Sequence, residues 1–498
     1  MTLSLGIGGT THHACAALAD SQSVLGVCEQ ERITGVRGAG VTSTGLPDQA
    51  IDALLDQVHG TRADIVRCGV AETSAPDSPW PTTRFNHHEA HAYASYLTSP
   101  FTSAVIVICD HEAPGVSVWT GDDREVRRVD WPWTGPGFAD LYTECARTLG
   151  FDGDPGDQRF EALARMMAEE PQDRLPSFFS TDGARIEAAP GWKARVAEAA
   201  GGSATDYVTK ARVAAALQKQ IGGLLLEMLR RVKSRVPSDR LCLGGSLFYH
   251  SAINSMVRQA GVFDRVFIPA NPGNSGLAVG TAMRLSGLGP TRLSAFMGPF
   301  YDPDAIKSTL DNCKLRYDWL DEGRVVEEAV GHLQQGRLVG WFEDRMEWGP
   351  RALGARSILA NPFSPFVLEN LNRFLKRRES WRGYALSALP DVARDYFSGP
   401  DEAPFMECDF RPCDRARFRS VMPSDAAHVR LHVVADDGPR RFRSVLEAFG
   451  NATGIPCVVN TSFNGVHAPI VCTPRDAVRV FFGSGLDVLI LDRFVVTK

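Results

Sequence analysis

Two apolar segments of this chain each end in a pair of glycines, although they lie far apart in the sequence. The segment 3–9 ends in Gly8 and Gly9, and the segment 240–245 (RLCLGG) ends in Gly244 and Gly245. Open α/β sheets bind their ligands at the carboxyl ends of strands, where glycine turns of this kind occur. The pattern predicts an α/β fold in which the two turns face each other across a cleft between two related subdomains.

The segments around these turns alternate between apolar strands and amphipathic helices. The run AVIVIC at 104–109 is wholly apolar, as expected of a central strand that is covered on both faces. Small residues at 14–19 (ACAALA) predict a helix directly after the first glycine turn. The other predicted strands are 23–29 and 266–269, and the other predicted helices are 49–58, 209–232 and 276–282.

Length and composition indicate a multidomain globular protein. The chain has 498 residues, which is too many for one core, and a connection rich in proline and glycine at 289–303 separates two predicted domains, 1–300 and 301–498. The net charge of −6 argues against nucleic acid as a partner, and 11 cysteines without a Cys-x-x-Cys pair are expected to be reduced thiols. Without a basic leader or an 18-residue apolar run, we expect a cytoplasmic protein that needs no membrane, either a monomer or a homodimer.

A histidine-rich segment at 86–91 (NHHEAH) is the first candidate site. His87 and His91 are four residues apart, so on a helix they share one face and can hold one metal ion. Asp110 follows the apolar strand 104–109 and supplies a carboxylate. Two histidines and one carboxylate suit Fe(II) or zinc with open coordination positions. A helix cap with histidines of unrelated roles is the alternative, and the position of Asp110 favours the metal.

His12 is the second candidate, because it follows the first glycine turn and precedes the predicted helix at 14–19. At a helix N-terminus the neutral imidazole is favoured, so His12 could serve as a general base. A histidine hydrogen-bonded within a turn is an equally good interpretation of the residues alone.

Glycines suggest a nucleotide site at two places, Gly244-Gly245 and the turn 273–276, which contains Asn274 and Gly276. Glycine allows a phosphate to approach backbone N–H groups. Glycines that follow strands are also common as plain turns, which is the alternative interpretation.

The second predicted domain carries a compact set of basic residues. In EDRMEWGPRALGARSILA (343–360), a Gly-Pro turn leads into Arg351 and Arg356, two permanently charged forks that suit a phosphate or a carboxylate. Lys376 and Arg378 lie in a basic run that could also be a solvated helix face. The segment that follows the apolar strand 457–459 offers small hydrogen-bonding side chains, Asn460 and Ser462 among them.

These segments together resemble the nodulation- and antibiotic-type O-carbamoyltransferases, including the tobramycin-type enzymes. The similar motifs in the second domain are RMEWGPRALGARSILANP, the K-x-R-E-x-W-R run at 376–382, TGIPCVVNTSFN, and PIVCTPRDAVRVFFGSGLDVLIL. In the first domain they are HHACAAL, CEQERIT, NHHEAHAYASY, LCLGGSL and IPANPGNSGLAVGTAM. The resemblance covers almost the whole chain.

The resemblance implies two domains and two steps. The N-terminal domain would be of the actin-like ATPase (ASKHA) type with two related subdomains, binding metal and ATP. The C-terminal domain would be an α/β domain of the carbamoyl-adenylate-forming (YrdC-like) fold. Such enzymes make carbamoyl adenylate from carbamoyl phosphate and Mg-ATP and pass the carbamoyl group to a hydroxyl of a small natural product, such as an antibiotic or a sugar.

The family's motifs also imply residue roles, which we carry over as expectations. His87, His91 and Asp110 match metal ligands, most often of Fe(II), and His12 matches a base for the acceptor hydroxyl. The expected ATP-binding residues are Gly244, Gly245, Asn274 and Gly276. The expected carbamoyl-phosphate-binding residues are Arg351, Arg356, Lys376, Arg378, Asn460 and Ser462.

The chain departs from the family pattern mainly in its first domain. Asn274 stands where the family has a further metal-binding aspartate, Tyr249 stands where it has asparagine, and His111 lies in a segment that is usually Asp-Gly-x-Gly-Glu. We hypothesise that His111 or His250 compensates as a new ligand. An amine acceptor and a non-catalytic relative that binds nucleotide without turnover are the alternatives to the O-carbamoyltransferase.

Overall fold

The computed structural model describes residues 2–71, 78–153, 155–169, 175–201, 207–423 and 426–498. Within these ranges the strands form two five-stranded sheets, a two-stranded ribbon and a ten-stranded sheet. The five-stranded sheets come from the N-terminal part of the chain. The ten-stranded sheet comes from the C-terminal part and forms a separate domain.

The first five-stranded sheet consists of a meander and two parallel strands. Its strands are β1 (Leu3–Gly8), β2 (Cys15–Ala19), β3 (Val24–Glu29), β4 (Ile65–Val70) and β5 (Thr82–Arg84). β1 and β2 pair antiparallel, as do β2 and β3, whereas β4 pairs parallel with both β1 and β5. The helices of this subdomain are α1 (Gln30–Thr34) and α2 (Asp48–Gln57).

Helix α3 (His87–Leu97) leads into the second sheet, whose strands are β6 (Ser103–Cys109), β7 (Val116–Asp122), β8 (Glu125–Arg128), β11 (Arg240–Gly244) and β12 (Arg265–Phe267). Between β8 and β11 lie α4 (Phe138–Thr148), α5 (Gly156–Met166), the ribbon of β9 (Phe179–Thr181) and β10 (Ile186–Ala188), α6 (Trp192–Ala199) and α7 (Tyr207–Arg235). Helix α8 (Ser251–Gln259) joins β11 to β12, and α9 (Leu277–Ser286) follows β12.

The two five-stranded sheets have the same topology. Their orders are β3-β2-β1-β4-β5 and β8-β7-β6-β11-β12, and corresponding pairs run in the same relative directions. The prediction of two related subdomains is therefore confirmed. The strands and helices predicted at 23–29, 49–58, 104–109, 209–232 and 276–282 are also present, with bounds that differ by a few residues.

The predicted helix at 14–19 is wrong, because this segment is strand β2. Cys15 pairs with Gly8 across a hairpin, and every residue of β2 is buried between β1 and β3. Pairing on both sides outweighs the helix preference of its alanines, since tertiary context overrides local propensity. His12 therefore lies in a hairpin loop and not at a helix N-terminus.

Helices α3 and α9 pack tightly against each other and against the two sheets. A Cβ added at Gly280 of α9 would lie 2.4 Å from the backbone nitrogen of Ala94 in α3. A Cβ added at Gly6 of β1 would lie 1.9 Å from the carbonyl oxygen of Ala278 in α9. Glycine at these positions lets backbones approach closely, which fixes how the two subdomains meet.

The C-terminal domain is built on a ten-stranded mixed sheet of order β13-β22-β21-β14-β15-β20-β16-β19-β18-β17. Its strands are β13 (Asp318–Trp319), β14 (Val339–Phe342), β15 (Arg356–Ala360), β16 (Ala385–Ala388), β17 (Phe397–Ser398), β18 (Asp409–Pro412), β19 (Val429–Val433), β20 (Cys457–Ser462), β21 (Val488–Leu491) and β22 (Phe494–Thr497). Its helices are α10 (Pro303–Asn312), α11 (Glu322–Gln334), α12 (Val367–Glu369), a π-helical turn at Asn370–Lys376, α13 (Pro390–Tyr396), α14 (Arg440–Thr453) and α15 (Pro474–Phe482).

Apolar residues cover both faces of this sheet. On one face, α11 and α14 pack over Trp341, Leu359 and Val458. On the other face, α10, the π-helical turn and α15 pack over Ile358, Val459 and other residues of the central strands. Among the described residues, no helix combines the length and the apolar character needed to span a bilayer.

Ionic contacts join the two domains. Arg165 of α5 donates to Asp409 of β18 (2.8 Å), and Arg430 of β19 donates to Glu161 of α5 (2.9 Å). At a second contact, Gly349 donates its N–H to the carboxylate of Glu29 (2.7 Å). The Gly-Pro turn of the C-terminal domain is therefore held by β3 of the N-terminal domain.

Candidate functional site

Three ligand-type side chains converge where α3 meets the end of β6. The Nε2 atom of His87 lies 2.9 Å from Oδ2 of Asp110 and 3.1 Å from Nε2 of His91. Asn86 caps α3 by accepting from the N–H of His88 (3.0 Å), so the helix begins where both histidines turn towards Asp110. Donor atoms of all three ligands lie within 4.8 Å of one another.

The charges around this cluster fit a cation. Burial alone would raise the pKa of Asp110, but hydrogen bonds with His87 and His91 outweigh it and hold that pKa well below its usual range. Its other oxygen, Oδ1, accepts from the N–H of Ser246 (2.8 Å), which fixes the carboxylate. Asn274 lies close enough to His91 to influence its pKa, so Asn274 is also at the cluster. Two imidazoles and one carboxylate suit a divalent transition metal.

The nearby histidines lie outside this cluster. His88 is held between the hydroxyl of Ser117 (2.7 Å) and the carbonyl of Glu112 (2.9 Å). His111 contacts Asp140 (3.0 Å), and that contact raises the pKa of His111. His250 stacks on the ring of Tyr142 at 4.0 Å. The structure therefore gives no support to His111 or His250 as a replacement ligand.

The predicted nucleotide glycines lie at tight chain crossings. Gly245 has φ +98°, and a Cβ there would lie 2.2 Å from the carbonyl oxygen of Cys109, so this position requires glycine. Gly244 and Gly276 are equally crowded, by the hydroxyl of Ser95 and by the carbonyl of Asn271. This packing explains the glycines without a ligand, and their nucleotide role stays a prediction.

His12 lies near this second turn. The hydroxyl of Ser275 donates to the carbonyl of His13 (2.9 Å), which places the β1–β2 hairpin loop against the 273–276 turn. The side chain of His12 is exposed. The structure therefore leaves it accessible to a bound molecule, although its predicted place on a helix was wrong.

A short 3₁₀ turn, Ser246–Tyr249, connects the histidine cluster to the C-terminal domain. Its first residue binds Asp110 through the backbone, and the carbonyl of its last residue, Tyr249, accepts from Arg351 (3.0 Å). The phenol of Tyr249 donates to Asn271 (2.6 Å) and lies over Gly273. One turn thus contacts a predicted metal ligand at one end and a predicted anion-binding arginine at the other.

Arg351 is a predicted cation that no carboxylate contacts directly in the described part of the chain. Its one side-chain hydrogen bond in the described chain is the one to Tyr249, and it forms no ion pair there. Burial, and next the neighbouring Arg430, lower the pKa of Arg351 to about 9. A desolvated guanidinium without a carboxylate partner is suited to an incoming anion.

Arg356 has a different environment, because its side chain is fully buried. Its Nη1 donates to the carbonyls of Glu343 (2.6 Å) and Ala355 (3.0 Å), and the guanidinium lies 3.5 Å above the ring of Phe342. In this arrangement the group holds backbone segments together. The structure does not bring Arg356 into an open anion site with Arg351.

Lys376 contacts the end of β20. Its ammonium donates to the carbonyl of Ser462 and to Oδ1 of Asn464, both at 2.6 Å, and lies 3.4 Å from the hydroxyl of Ser462. Burial, and next Arg378 and Arg382, hold the pKa of Lys376 well below its usual range. Asn464 belongs to the same polar segment as Asn460 and Ser462, which the sequence had marked for its hydrogen-bonding side chains.

Arg378 and Arg430 lie near Arg351 and Lys376. We call these four residues the cationic region. Arg378 donates to Asn372 (2.8 Å) and lies 4.1 Å above the ring of Tyr384. Arg430 is close enough to lower the pKa of both Arg351 and Arg378. No motif pointed to Arg430, because β19 brings it here from a charged segment without a recognisable pattern.

Asn460 lies deeper, in the middle of the sheet. Its Nδ2 donates to the hydroxyl of Ser387 on β16 (2.9 Å), and that hydroxyl lies 3.0 Å from Nδ1 of His432 on β19. All three residues are buried. Ser387 and His432 had no signal in the sequence, since isolated polar residues in apolar strands usually reflect turns or edges.

Two family models match this chain. The one described as Carbamoyltransferase N-terminus matches residues 77–283, and the one described as Carbamoyltransferase C-terminus matches residues 330–498. Because the two halves of one family together match most of the chain in the expected order, the chain belongs to the carbamoyltransferase family. The predicted family and enzyme class are confirmed at this level.

Curated relatives agree with this assignment. Nodulation protein NolO of Bradyrhizobium diazoefficiens is 30% identical over 57% of this chain and 54% of NolO. Nodulation protein NolNO of Sinorhizobium fredii is 28% identical over 83% of this chain and 63% of NolNO. The uncharacterized protein sll1178 of Synechocystis is 27% identical over 84% of this chain and 77% of that protein. The chain thus spans about half to three quarters of the length of these relatives.

Solved structures with a detectable likeness align with just over half of this chain. The activator of the 2-hydroxyisocaproyl-CoA dehydratase from Clostridium difficile aligns with 57% of this chain and 95% of that chain, at 14% identity and a TM-score of 0.38. Full-length HypF aligns with 57% of this chain and 46% of that chain, at 12% identity and a TM-score of 0.38.

Proposed function

We propose that this protein is an ATP-dependent O-carbamoyltransferase that divides two reactions between its two domains. In the first, carbamoyl phosphate, ATP and water give carbamoyl adenylate, pyrophosphate and phosphate. In the second, a hydroxyl of a small natural-product acceptor attacks the carbamoyl carbon, which releases AMP and a proton. The C-terminal domain would perform the first reaction and the N-terminal domain the second.

The observation that best supports this proposal is the Ser246–Tyr249 turn. It contacts Asp110 of the histidine cluster at one end and Arg351 of the cationic region at the other. Carbamoyl adenylate hydrolyses readily in water. Two sites that are joined by the same turn would keep the intermediate enclosed between its formation and its use. Distant sites would have to release it.

The side chains of the C-terminal domain suit an anionic substrate. Arg351, Lys376 and Arg378 are largely desolvated cations, and none of the three forms an ion pair within the part of the chain that the structure describes. A phosphate dianion would supply the missing negative charge, and guanidinium forks and an ammonium bind phosphate through charge-assisted hydrogen bonds. Arg356 would not contact the substrate but would support the site by holding the backbone around residues 343 and 344.

In the N-terminal domain, His87, His91 and Asp110 would hold a divalent metal, for which we propose Fe(II). Such an ion, when bound, would neutralise phosphate charge and polarise a carbonyl. The glycine turns that contain Gly245 and Gly276, with Asn274, would receive the nucleotide. His12, exposed on its hairpin loop, would accept the proton of the acceptor hydroxyl.

Pyrophosphate release tests the first reaction. Purified protein is supplied with Mg-ATP and carbamoyl phosphate, together and separately, with and without added Fe(II). We expect release that requires both substrates and falls about 100-fold or more in Arg351→Ala, in line with the removal of a charge-stabilising donor. Arg373→Ala is the matched control, because Arg373 is exposed and pairs with Glu369. Release that ignores carbamoyl phosphate, or equal losses in both variants, would reject the proposal.

The departures at Asn274 and in the segment around His111, which lacks the usual Gly-x-Gly-Glu, favour a second candidate, a relative that binds nucleotide without turnover. That protein would bind ATP but release no pyrophosphate under any metal. An amine acceptor would leave pyrophosphate release intact, and the carbamoylated product would then carry a urea linkage in place of a carbamate ester.

A further inference from the structure

A single buried asparagine holds the loop that carries Arg378. Asn372 lies on the π-helical turn Asn370–Lys376 and is 2% exposed. Its Nδ2 donates to the carbonyl of Arg382 (2.9 Å) and lies 3.4 Å from the carbonyl of Ser380. Its backbone carbonyl accepts from the N–H of Arg378 (3.0 Å). The chain between the π-helical turn and β16 is therefore folded around this one residue.

The other end of the same amide accepts two hydrogen bonds. Nε of Arg378 donates to Oδ1 of Asn372 (2.8 Å), and so does the hydroxyl of Tyr384 (2.8 Å). Burial raises the pKa of Tyr384 to about 12, so this hydroxyl keeps its proton. The amide has one possible orientation, because a guanidinium N–H can only donate and a backbone carbonyl can only accept.

These contacts fix the guanidinium of Arg378 in one place. Its Cζ lies 4.1 Å from the centre of the Tyr384 ring, and Nη2 lies 3.3 Å from the carbonyl of Gly383. Nη1 has no hydrogen-bond partner among the described residues, and Arg378 is partly exposed. An anion can therefore approach Nη1 while Asn372 and Tyr384 hold the rest of the group.

No acidic side chain within the described ranges forms an ion pair with Arg378. The neighbouring carboxylate of Glu379 is paired with Arg159 of α5 instead (2.6 Å). Asn372 occupies the position from which an aspartate could orient the guanidinium in the same way. An amide and a carboxylate both accept from Nε, but only the carboxylate would neutralise the positive charge.

We propose that Asn372 is a positioning residue for the anionic substrate: its amide orients Arg378 and, being neutral, keeps the charge of that guanidinium available to a phosphate group. The inference rests on the proposed function, because it takes Arg378 to contact the phosphate of the substrate. It adds the residue that sets the direction of this contact. It also explains why an amide suits position 372, since a carboxylate there would compete with the phosphate for Arg378.

Binding of inorganic phosphate, measured by calorimetry on the full-length protein without ATP, tests this role. Asn372→Ala should weaken binding about tenfold, because a hydrogen bond that orients a charged group is lost. Asn372→Asp should weaken it about 100-fold, because phosphate must then displace a carboxylate from Arg378. Asn370→Ala is the matched control, since Asn370 lies on the same turn and residues two apart on a helix do not face each other.

A double-mutant cycle with Arg378→Met separates positioning from a general disturbance of the loop. If Asn372 acts through Arg378, Asn372→Ala should weaken phosphate binding less than about twofold once Arg378 is methionine. A loop that is merely disturbed would displace other groups too, so the loss would then stay near tenfold in both backgrounds. Equal losses in the two backgrounds, or wild-type affinity in Asn372→Asp, would overturn the inference.

Tyr384→Phe provides a second route through the same cycle if Asn372→Ala does not fold. It removes the hydroxyl that holds Oδ1 of Asn372 but keeps the ring beneath the guanidinium. We expect phosphate binding about threefold weaker with Arg378 present and unchanged in the Arg378→Met background. A threefold loss in both backgrounds would count against the inference in the same way.

Failure of this inference is distinguishable from failure of the proposed function, because phosphate binding reports the first and pyrophosphate release reports the second. Pyrophosphate release with equal losses in both backgrounds would leave the function standing and reject the role of Asn372. Phosphate binding that depends on Asn372 only when Arg378 is present, without pyrophosphate release, would support that role and reject the function. A wild type that binds no phosphate at up to about 10 mM would overturn the inference whatever the release assay shows.

Discussion

The histidine cluster of the N-terminal domain and the cationic region of the C-terminal domain are prepared for their ligands in different ways. In the cluster, His87, His91 and Asp110 already point their donor atoms at one another. In the cationic region, Lys376 donates to neighbouring backbone and amide oxygens, whereas Arg351 has a single carbonyl partner. The cluster brings together three side chains that can act as metal ligands. The cationic region has excess positive charge and lacks an anion.

This difference shows what local sequence can and cannot specify. Two histidines four residues apart on one helix must share a face, so their convergence is a local property. The cations come from three separate segments, and their convergence depends on the order of strands in a mixed sheet. The same chemistry of charge and hydrogen bonding operates in both places, but only the first arrangement is written in a short stretch of residues.

The largest expected effect concerns the histidine cluster. In His91→Ala, the amount of Fe(II) or zinc retained after anaerobic loading and desalting should fall below about a tenth of the wild-type amount, since two ligands hold a divalent ion poorly. Elemental analysis measures it, with His59→Ala, an exposed histidine, as the control. Equal metal content in His91→Ala and the wild type would mean that the histidine cluster does not bind the metal.

A second prediction separates the two arginines of the 343–360 segment. Arg356→Met should lower the free energy of unfolding by about 3 kcal/mol, because several buried carbonyls lose their donor. Arg351→Met should change it by less than about 1 kcal/mol, since one hydrogen bond to Tyr249 is lost and a desolvated charge is removed. Urea unfolding followed by tryptophan fluorescence measures both. Similar losses would mean that both arginines are structural.

A third prediction concerns protons and anion binding. The pKa of Lys376 is held low by burial and by Arg378 and Arg382, and a bound phosphate dianion would raise it. Binding should therefore take up a proton, so affinity for carbamoyl phosphate should fall as pH rises from the free-state pKa to the bound-state pKa, by up to about 1.4 kcal/mol per pH unit. Calorimetry in buffers of different ionisation enthalpy counts the proton.

Lys376→Met provides the control for that experiment. Without the ammonium, the uptake of a proton that is due to this residue should disappear, and the remaining affinity should vary less with pH. Proton uptake of the same size in Lys376→Met and the wild type would assign the proton to another group.

Much of the fold followed from the sequence, for reasons that particular elements illustrate. The apolar run of β6 predicts a buried strand, and the amphipathic faces of α2 and α7 predict two packed helices. The segment of β2 misled, because alanines favour a helix in isolation and its pairing partners lie on either side in the folded chain. The place of His12 was wrong for the same reason.

The candidate site residues also differ in whether a local pattern or long-range strand pairing places them. His87, His91 and Asp110 were found from spacing and from the end of a strand, and the structure brings them together. Arg356 was grouped with Arg351 because both are arginines in one motif, but all five residues of β15 are buried, and Arg356 lies in the core with them. Arg430 and the partners of Asn460 were missed, since long-range strand pairing places them and no local pattern reports it.

A single-turnover experiment with ¹⁴C-labelled carbamoyl phosphate and Mg-ATP, quenched on a millisecond to second scale and resolved by chromatography, tests the division of labour most directly. The account predicts that Arg351→Ala forms no labelled carbamoyl adenylate, whereas His91→Ala forms it at close to the wild-type amount. Loss of the labelled adenylate in His91→Ala, or its retention in Arg351→Ala, would contradict the assignment of the two reactions to the two domains.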